Sequence, residues 1–205
     1  MINKLSILTL LSVSTLFANN LKPILQIGYD FGGTTLATIE RDDYYMYDVD
    51  KIRSGQGLSI EIGAVVDTPN LELQFLIGYK YDQESASNGE VTWDVIPFSA
   101  LALFKSKQWK VGGGVTYHLN PEIKGSFRGY NLQGKPFHDY IDDQYENALG
   151  GVAQVQYRAT EDLNIGIKGT FMEYKLKEDL TTTTRGNTVG INISYSFGNE
   201  QSKFR

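Results

Sequence analysis

The sequence predicts an all-β fold, namely an eight-stranded antiparallel up-and-down transmembrane β-barrel. Three observations support it: eight stretches alternate apolar with polar or small residues, their connections are alternately short and long, and the first residues resemble an export signal. The composition agrees, since the 205 residues include 21 glycines, 13 tyrosines and 10 phenylalanines but only 5 prolines. The lack of cysteine excludes disulfide scaffolds and thiol catalysis, and the net charge of −5 disfavours a nucleic-acid binder.

The first 18 residues have the pattern of a secretory signal peptide. Lys4 gives a short basic start, an uncharged apolar run extends from Leu5 to Phe17, and Ala18 precedes two asparagines. This run is shorter than the roughly 20 apolar residues of a membrane-spanning helix, which is the alternative. We therefore expect a signal peptide at 1–18 and a barrel domain at 19–205, with four longer extracellular loops and a short C-terminal tail.

Eight stretches have the period of two that is typical of a strand with one apolar and one polar face. In the last of them, Val189, Ile191 and Ile193 alternate with Gly190 and Asn192. The predicted strands are 24–38, 57–67, 71–82, 91–105, 109–119, 148–159, 163–176 and 188–197.

The connections indicate how these strands are joined. Those at 68–70, 106–108 and 160–162 are short, and those at 39–56, 83–90, 120–147 and 177–187 are longer and more polar. Short turns at one end and long loops at the other predict an up-and-down meander. An even number of strands allows it to close, which removes exposed sheet edges.

Glycine and charge both favour a polar interior and an apolar exterior. Glycines recur on the polar face, where an eight-stranded barrel has little room and small residues leave space for larger polar neighbours. The same face carries four acidic and four basic residues, and enclosed charges need partners. The predicted lumenal charge network is Asp30, Glu61, Glu72, Lys80, Asp94, Lys110, Arg158 and Lys168. Lys80 and Asp94 flank the second long loop, so we expect them to pair.

Aromatic residues of the apolar face gather toward the two ends of the strands, with aliphatic residues between them. Such belts are typical of proteins that cross a bilayer. Tyr29, Phe31, Tyr79, Tyr81, Trp93, Tyr117 and Phe171 lie toward the long loops, and Trp109, Tyr157, Tyr195 and Phe197 lie toward the short turns. A soluble periplasmic ligand-binding barrel, with its apolar face inside, is the alternative.

Two local motifs strengthen this interpretation. The segment from Thr188 to Tyr195 has a polar-x-Gly-x-x-hydrophobic-x-aromatic pattern, and the segment from Trp109 to Tyr117 is a glycine-rich strand. With these motifs the chain resembles the small eight-stranded outer-membrane β-barrels, such as the OmpA membrane domain, OmpX and OmpW. The resemblance implies an assembly signal, read by the barrel assembly machinery, at Thr188, Gly190, Ile193, Tyr195 and Phe197.

The resemblance also implies a location and partners. These are the outer membrane of a Gram-negative-type cell, export through the secretory pathway, contact with outer-membrane lipids and lipopolysaccharide, and a monomer. Family members of the simplest type end on the terminal aromatic residue, whereas residues 198–205 follow it here. We expect this tail in the periplasm.

The sequence has no convincing catalytic motif, and we expect no enzyme activity, cofactor or metal. A barrel lipid A deacylase uses a His-x-Ser-Asn motif, whereas His118 is followed by leucine, asparagine and proline. Asp142 and its neighbours are expected to be solvated loop acids. Tyrosines mixed with charge favour a binding surface at the loops, and the possible contacts are Tyr44, Tyr45, Tyr47, Tyr130 and Tyr140.

Three functions stay open from the sequence. The first is an integral outer-membrane barrel with a structural or surface-interaction role, its lumen plugged by polar residues. The second is a narrow channel for small or apolar solutes. The third is the soluble ligand-binding barrel.

Overall fold

The computed structural model describes residues 21–43, 46–86, 89–130 and 136–198, with side chains described except at 39–43, 46–50, 86, 129–130 and 136–137. The predicted signal peptide and residues 199–205 lie outside this part. The strands are β1 (Leu21–Gly32), β2 (Thr35–Asp43), β3 (Met46–Arg53), β4 (Gly57–Asp67), β5 (Leu71–Ala86), β6 (Gly89–Ser106), β7 (Trp109–Tyr130), β8 (Pro136–Gln144), β9 (Ala148–Arg158), β10 (Leu163–Phe171), β11 (Glu173–Lys175), β12 (Thr183–Arg185) and β13 (Thr188–Ser196). The described residues contain no helix that could span a membrane.

Eight of these strands close into one antiparallel ring. The order around it is β1, β4, β5, β6, β7, β9, β10 and β13, and β13 returns to β1 with Asp30 opposite Gly190. The β6–β7 pair completes the ring, with Ser99 opposite Thr116. The predicted all-β, eight-stranded antiparallel up-and-down fold is therefore confirmed, and each ring strand overlaps one predicted stretch.

The last strand shows how the alternation is used. Val189, Ile191 and Ile193 face outward with 53–61% of their surface exposed, whereas Asn192 and Ser194 face inward and are buried. Most ring strands repeat this arrangement. An apolar exterior therefore surrounds a largely polar interior.

The predicted first strand, 24–38, is divided in the structure. Gly32 and Gly33 have φ angles of 114° and 88°, which L-residues rarely adopt. The chain then leaves the ring as β2, which pairs with β3 in a separate hairpin. A backbone–side chain hydrogen bond from Thr34 N to Ser54 Oγ, 3.1 Å long, holds the base of this hairpin.

The long connections contain more strand than the sequence predicts. β5 and β6 continue to Ala86 and Gly89, and β7 continues to Tyr130, where β8 pairs with it. The last long connection forms the β11–β12 hairpin, whose turn is held by Asp179. Hydrogen bonds from Thr181 and Thr182 hold the pKa of Asp179 below its usual range. An antiparallel sheet therefore extends beyond the ring at the long-loop end.

Along β6 the polarity of the two faces reverses. In its second half, Phe98 and Phe104 face outward with 48% and 69% of their surface exposed. In its first half, Val91 and Trp93 face inward and are fully buried, while Asp94 faces outward. The prediction that Asp94 is lumenal is therefore wrong, and so is the prediction of Trp93 in an outward aromatic belt. Both predictions assume that the same face of the strand is apolar along its whole length, whereas in β6 the apolar face changes from outside to inside.

β7 reverses at the same level through a bulge. Val115 and Tyr117 face outward below it, whereas Ile123 is buried inward and Lys124 faces outward above it. Two residues of β7, at 120 and 121, lie opposite one residue of β6, and Asn120 has a φ of 47°. Asparagine tolerates this left-handed conformation better than most residues. The bulge thus moves the apolar residues of β7 from the outside to the inside.

Candidate functional site

The lumen contains a central group of four buried charges, contributed by four different strands. Lys80 on β5 forms an ion pair with Asp30 on β1. Lys168 on β10 lies 3.1 Å from Glu61 Oε1 on β4 and 3.8 Å from Asp30 Oδ2. We call these residues the central cluster. Two carboxylates and two ammonium groups neutralise one another, which is how buried charges are tolerated.

A second ion pair lies nearer the short-turn end. Lys110 Nζ is 2.6 Å from Glu72 Oε2, and Gln74 Nε2 donates to Glu72 Oε1 at 2.7 Å. Gln156 Oε1 accepts a 3.5 Å hydrogen bond from Gln74, linking β5 to β9 across the lumen. Both levels of the lumen are therefore filled by neutral sets of polar side chains.

Glycines on neighbouring strands make room for these charges. Asp30 lies over Gly190, where an added Cβ would overlap its carboxylate oxygen. Glu61 lies over Gly78, where an added Cβ would be 2.6 Å from Glu61 Cγ. Glycine thus has a packing role at these two inward positions.

Gly190→Ala is expected to destabilise the barrel by about 1–3 kcal/mol, the usual cost of forcing extra atoms into a filled interior. The measurement is the unfolding midpoint in urea after refolding into detergent, without any assembly machinery. The control is Gly151→Ala on the outward face, where an added Cβ meets nothing within 4 Å. Normal stability in vitro with poor assembly in cells would instead assign Gly190 to the assembly signal alone.

Part of the lumen is apolar, which the sequence did not predict. Ile24, Val65 and Leu76 form one buried cluster. Leu101 and Leu103 also face inward and are buried. The second half of β6 has apolar residues on both faces, so its alternation could not show which leucines were internal.

An apolar cluster lies at the long-loop end of the lumen. Trp93 is fully buried, and its ring centroid lies 5.5 Å from that of Tyr145 and 5.4 Å from that of Tyr174, both in edge-to-face geometry. Ile52 of β3 and Ile123 of β7 pack with them. We call the set the lid cluster; its buried members are Ile52, Val91, Trp93, Ile123, Tyr145, Ala148, Met172 and Tyr174. It joins the extended sheet to the β2–β3 hairpin.

His118 lies where the lumen meets the lid cluster. Its Nδ1 atom is 2.7 Å from the Tyr174 hydroxyl, and its side chain is buried. Within the described ranges no group of three or more histidine, aspartate or glutamate side chains could hold a metal ion. His118 therefore has a hydrogen-bonded, inward position.

The other predicted site residues have varied positions. Arg158 lies at the short-turn mouth, outside the buried network, and donates from Nη2 to the Lys107 carbonyl at 2.6 Å. The expected Lys80–Asp94 pair is wrong, because Lys80 pairs with Asp30 inside and Asp94 faces outward. Of the assembly-signal residues, Thr188 and Gly190 face inward, whereas Ile193, Tyr195 and Phe197 are exposed outside.

The predicted loop tyrosines are only partly described. Tyr44 and Tyr45 lie outside the described residues, and Tyr47 and Tyr130 belong to β3 and β7. Tyr140 on β8 is 66% exposed, and its hydroxyl is 3.0 Å from Nδ1 of His138. Among the five predicted loop tyrosines, Tyr140 is the one whose side chain is described, and it is exposed.

No family model and no curated protein matches this chain. Solved structures with a similar fold include Neisserial surface protein A, at 14% identity and a TM-score of 0.49, covering 87% of this chain and 97% of that one. Others are the N-terminal beta-barrel domain of Pseudomonas aeruginosa OprF (12%, TM-score 0.31, 87% and 98% covered) and the outer membrane channel DcaP of Acinetobacter baumannii (9%, TM-score 0.25, 87% and 96% covered). All three likenesses have identities of 14% or less and TM-scores below 0.5.

Proposed function

We propose that the protein is an integral outer-membrane β-barrel with a structural or surface-interaction role and a closed lumen. The observation that carries the proposal is the polarity reversal along β6 and β7. Below it apolar side chains face outward, as lipid requires; above it they face inward, as in any protein surrounded by water. A barrel surrounded by water over its whole height would have no reason for this change.

The height of the apolar exterior supports the same proposal. On β7, Trp109 and Tyr117 are both outward and exposed, and they mark the two aromatic belts. Eight residues at about 3.3 Å each span about 26 Å along the strand, or roughly 20 Å along the axis of a barrel with strands tilted by about 40°. This is comparable with the apolar band of roughly 25 Å in barrels of this kind.

The proposed partners follow from this location. They are outer-membrane lipids and lipopolysaccharide, the barrel assembly machinery during biogenesis, and an extracellular ligand at the long-loop end, where Tyr140 is exposed. We also propose a monomer, exported through the secretory pathway to the outer membrane of a Gram-negative-type cell. His118 has a structural role in this proposal, because its Nδ1 is engaged by Tyr174, and the protein is not an enzyme.

Ile167→Lys tests the membrane location. Ile167 is 59% exposed on the outward face of β10, and a lysine at mid-height in lipid costs about 2–4 kcal/mol. We expect this loss of stability when the barrel in lipid vesicles is unfolded with urea. Heat-modifiable gel migration measures the fraction that remains folded. Leu180→Lys is the control, because Leu180 is equally exposed, at 59%, but lies in the β11–β12 connection. Equal, small effects of both substitutions would contradict a lipid-facing wall.

The narrow channel for small or apolar solutes is the rival function. The two neutral polar levels and the lid cluster favour a closed lumen, so we expect no steady openings from the wild-type protein in planar bilayers. Frequent, uniform openings would favour the channel. Recovery of the mature protein in a detergent-free periplasmic fraction would favour the soluble barrel instead.

A further inference from the structure

The bulge of β7 leaves a recess on the outward face of the wall, at the level where the polarity reverses. Its volume is about 290 Å³, several times the roughly 30 Å³ that a water molecule occupies. The side chains that matter here are Tyr79, Asp94, Ile96, Glu122, Gln144 and Lys177. The recess is separate from the lumen, because Tyr79 and Asp94 face away from it.

Asp94 is an outward carboxylate without a cationic partner. The Tyr79 hydroxyl donates a hydrogen bond to Asp94, but no lysine, arginine or histidine among the described side chains lies within ion-pair distance of it. Glu122, directly opposite on β7, is by contrast paired with Lys124 at 2.6 Å. The hydrogen bond with Glu122 raises the pKa of Lys124, and the Lys124 charge reaches Asp94 only from beyond ion-pair distance. A half-buried carboxylate at a membrane interface is stabilised by a cation.

A fixed ammonium lies on the other side of the recess. Lys177 Nζ donates a 3.1 Å hydrogen bond to Gln144 Oε1, which holds it at the rim. The recess therefore offers a carboxylate at one side and an ammonium at the other. A ligand that matches both carries a cation and an anion in one small group.

The position of the recess indicates an amphiphile. Tyr79 belongs to the outward aromatic belt, which in barrels of this kind lies at the level of the lipid headgroups. Ile96 lines the recess, and Phe98 continues the outward apolar surface below it. An acyl chain can therefore follow this surface while its headgroup occupies the recess.

We propose that the recess binds a phosphoethanolamine headgroup, with its primary ammonium on Asp94 and its phosphate on Lys177. This inference rests on the proposed membrane location. The same chemistry occurs in phosphatidylethanolamine and in lipid A that carries phosphoethanolamine. The ammonium donates charge-assisted hydrogen bonds to Asp94, which distinguishes it from choline, whose methylated nitrogen has no N–H to donate.

The test is native mass spectrometry of the refolded barrel with phosphatidylethanolamine or phosphatidylcholine of identical chains. We expect a preference for the ethanolamine lipid of about tenfold, because a charge-assisted hydrogen bond contributes roughly that much. Asp94→Asn should abolish the preference, and Lys177→Met should weaken binding of both lipids. Glu90→Gln is the control, since Glu90 is also an exposed acid of β6 but does not line the recess.

Equal binding of the two lipids by the wild-type protein, or an unchanged preference in Asp94→Asn, would overturn the inference. Competition by lipid A with and without phosphoethanolamine identifies the source, and preferential competition by the modified form supports the same site. Heat-modifiable migration is recorded for every variant. A folded, lipid-inserted barrel without headgroup preference refutes the recess as a site and leaves the proposed function standing, whereas failure of the Ile167→Lys test refutes the membrane location itself.

Discussion

Lys80→Ala is expected to lower the free energy of unfolding by about 3–5 kcal/mol, the usual loss when one partner of a buried ion pair is removed. Lys80 is 2% exposed, and Asp30, its partner, is 1% exposed. Without Lys80, the Asp30 carboxylate would keep only Lys168 at 3.8 Å, and the Gly55 carbonyl would lose its 3.1 Å hydrogen bond. The measurement is urea unfolding in detergent or vesicles.

The matched control is Lys124→Ala. Lys124 also forms an ion pair, 2.6 Å from Glu122, but its side chain is half exposed, so we expect little change. The double variant Asp30→Asn/Lys80→Met should recover much of the lost stability, because it removes both buried charges together. A Lys80→Ala protein as stable as the Lys124→Ala protein would show that the central cluster contributes nothing to the closed lumen.

Lys80→Ala also tests whether the lumen is closed by its polar side chains or forms a narrow channel. Lys80 fills the lumen beside Asp30, so its removal opens space at the level of the central cluster. If that cluster is the main barrier, Lys80→Ala should produce openings in planar bilayers that the wild-type protein lacks. If the lid cluster also closes the lumen, conductance should stay low until both are altered.

The ring could be predicted from the sequence because its pattern is local. Alternation over about ten residues indicates a strand and separates its two faces, as Val189 through Ser194 illustrate without any tertiary information. The positions of Gly78 and Gly190 follow from the same local pattern, because both lie on the polar face that holds Glu61 and Asp30. What alternation cannot provide is the partner of each charge. Asp30 and Lys80 are 50 residues apart and belong to strands that are not neighbours.

The errors at Asp94 and Trp93 have one physical cause. A pattern of apolar and polar faces identifies the inside only when the surrounding solvent is known. In the proposed membrane location the solvent changes along β6: lipid selects apolar residues outside below the reversal, and water selects them inside above it. The signal that could have located the change is a phase shift on β6, where Trp93 and Asp94 invert the order of Phe98 and Ser99. On β7 the apolar positions Tyr117 and Ile123 keep the same parity, and the bulge turns them to opposite faces.

The lid cluster could not be predicted, because it is assembled from residues far apart in the chain. Ile52, Trp93, Ile123 and Tyr174 come from four different strands. Ile52 and Ile123 fall in predicted connections, and the alternation that places Trp93 and Tyr174 in predicted strands does not show that the four meet. The β2–β3 and β11–β12 hairpins were likewise not predicted. Residues 35–38 and 173–175 fall at the ends of the predicted strands 24–38 and 163–176, and the other hairpin residues are rich in charge and threonine. Their strand conformation depends on hairpin pairing and on the lid cluster beneath them.

Trp93→Ala is expected to destabilise the lid cluster by about 3–5 kcal/mol, since truncation of a buried tryptophan leaves a large cavity. Trp93 is fully buried between Tyr145 and Tyr174, and in the described part of the chain its Nε1 has no hydrogen-bond partner, so the loss is one of packing. Because the lid cluster lies beyond the lipid-facing ring, the barrel should remain heat-modifiable. Trypsin should cut the long connections faster, by roughly tenfold or more, as local opening becomes more frequent.

Trp109→Ala is the matched control, because the chain has only two tryptophans and Trp109 is 52% exposed at the short-turn end. It should leave cleavage of the long connections unchanged. Each variant also leaves one tryptophan as a fluorescent probe. Lipids brominated on their chains should quench Trp109 in the Trp93→Ala protein and leave Trp93 unquenched in the Trp109→Ala protein. Equal quenching of both, or identical cleavage of the two variants, would contradict a tryptophan buried in the lid cluster and the polarity reversal that places it there.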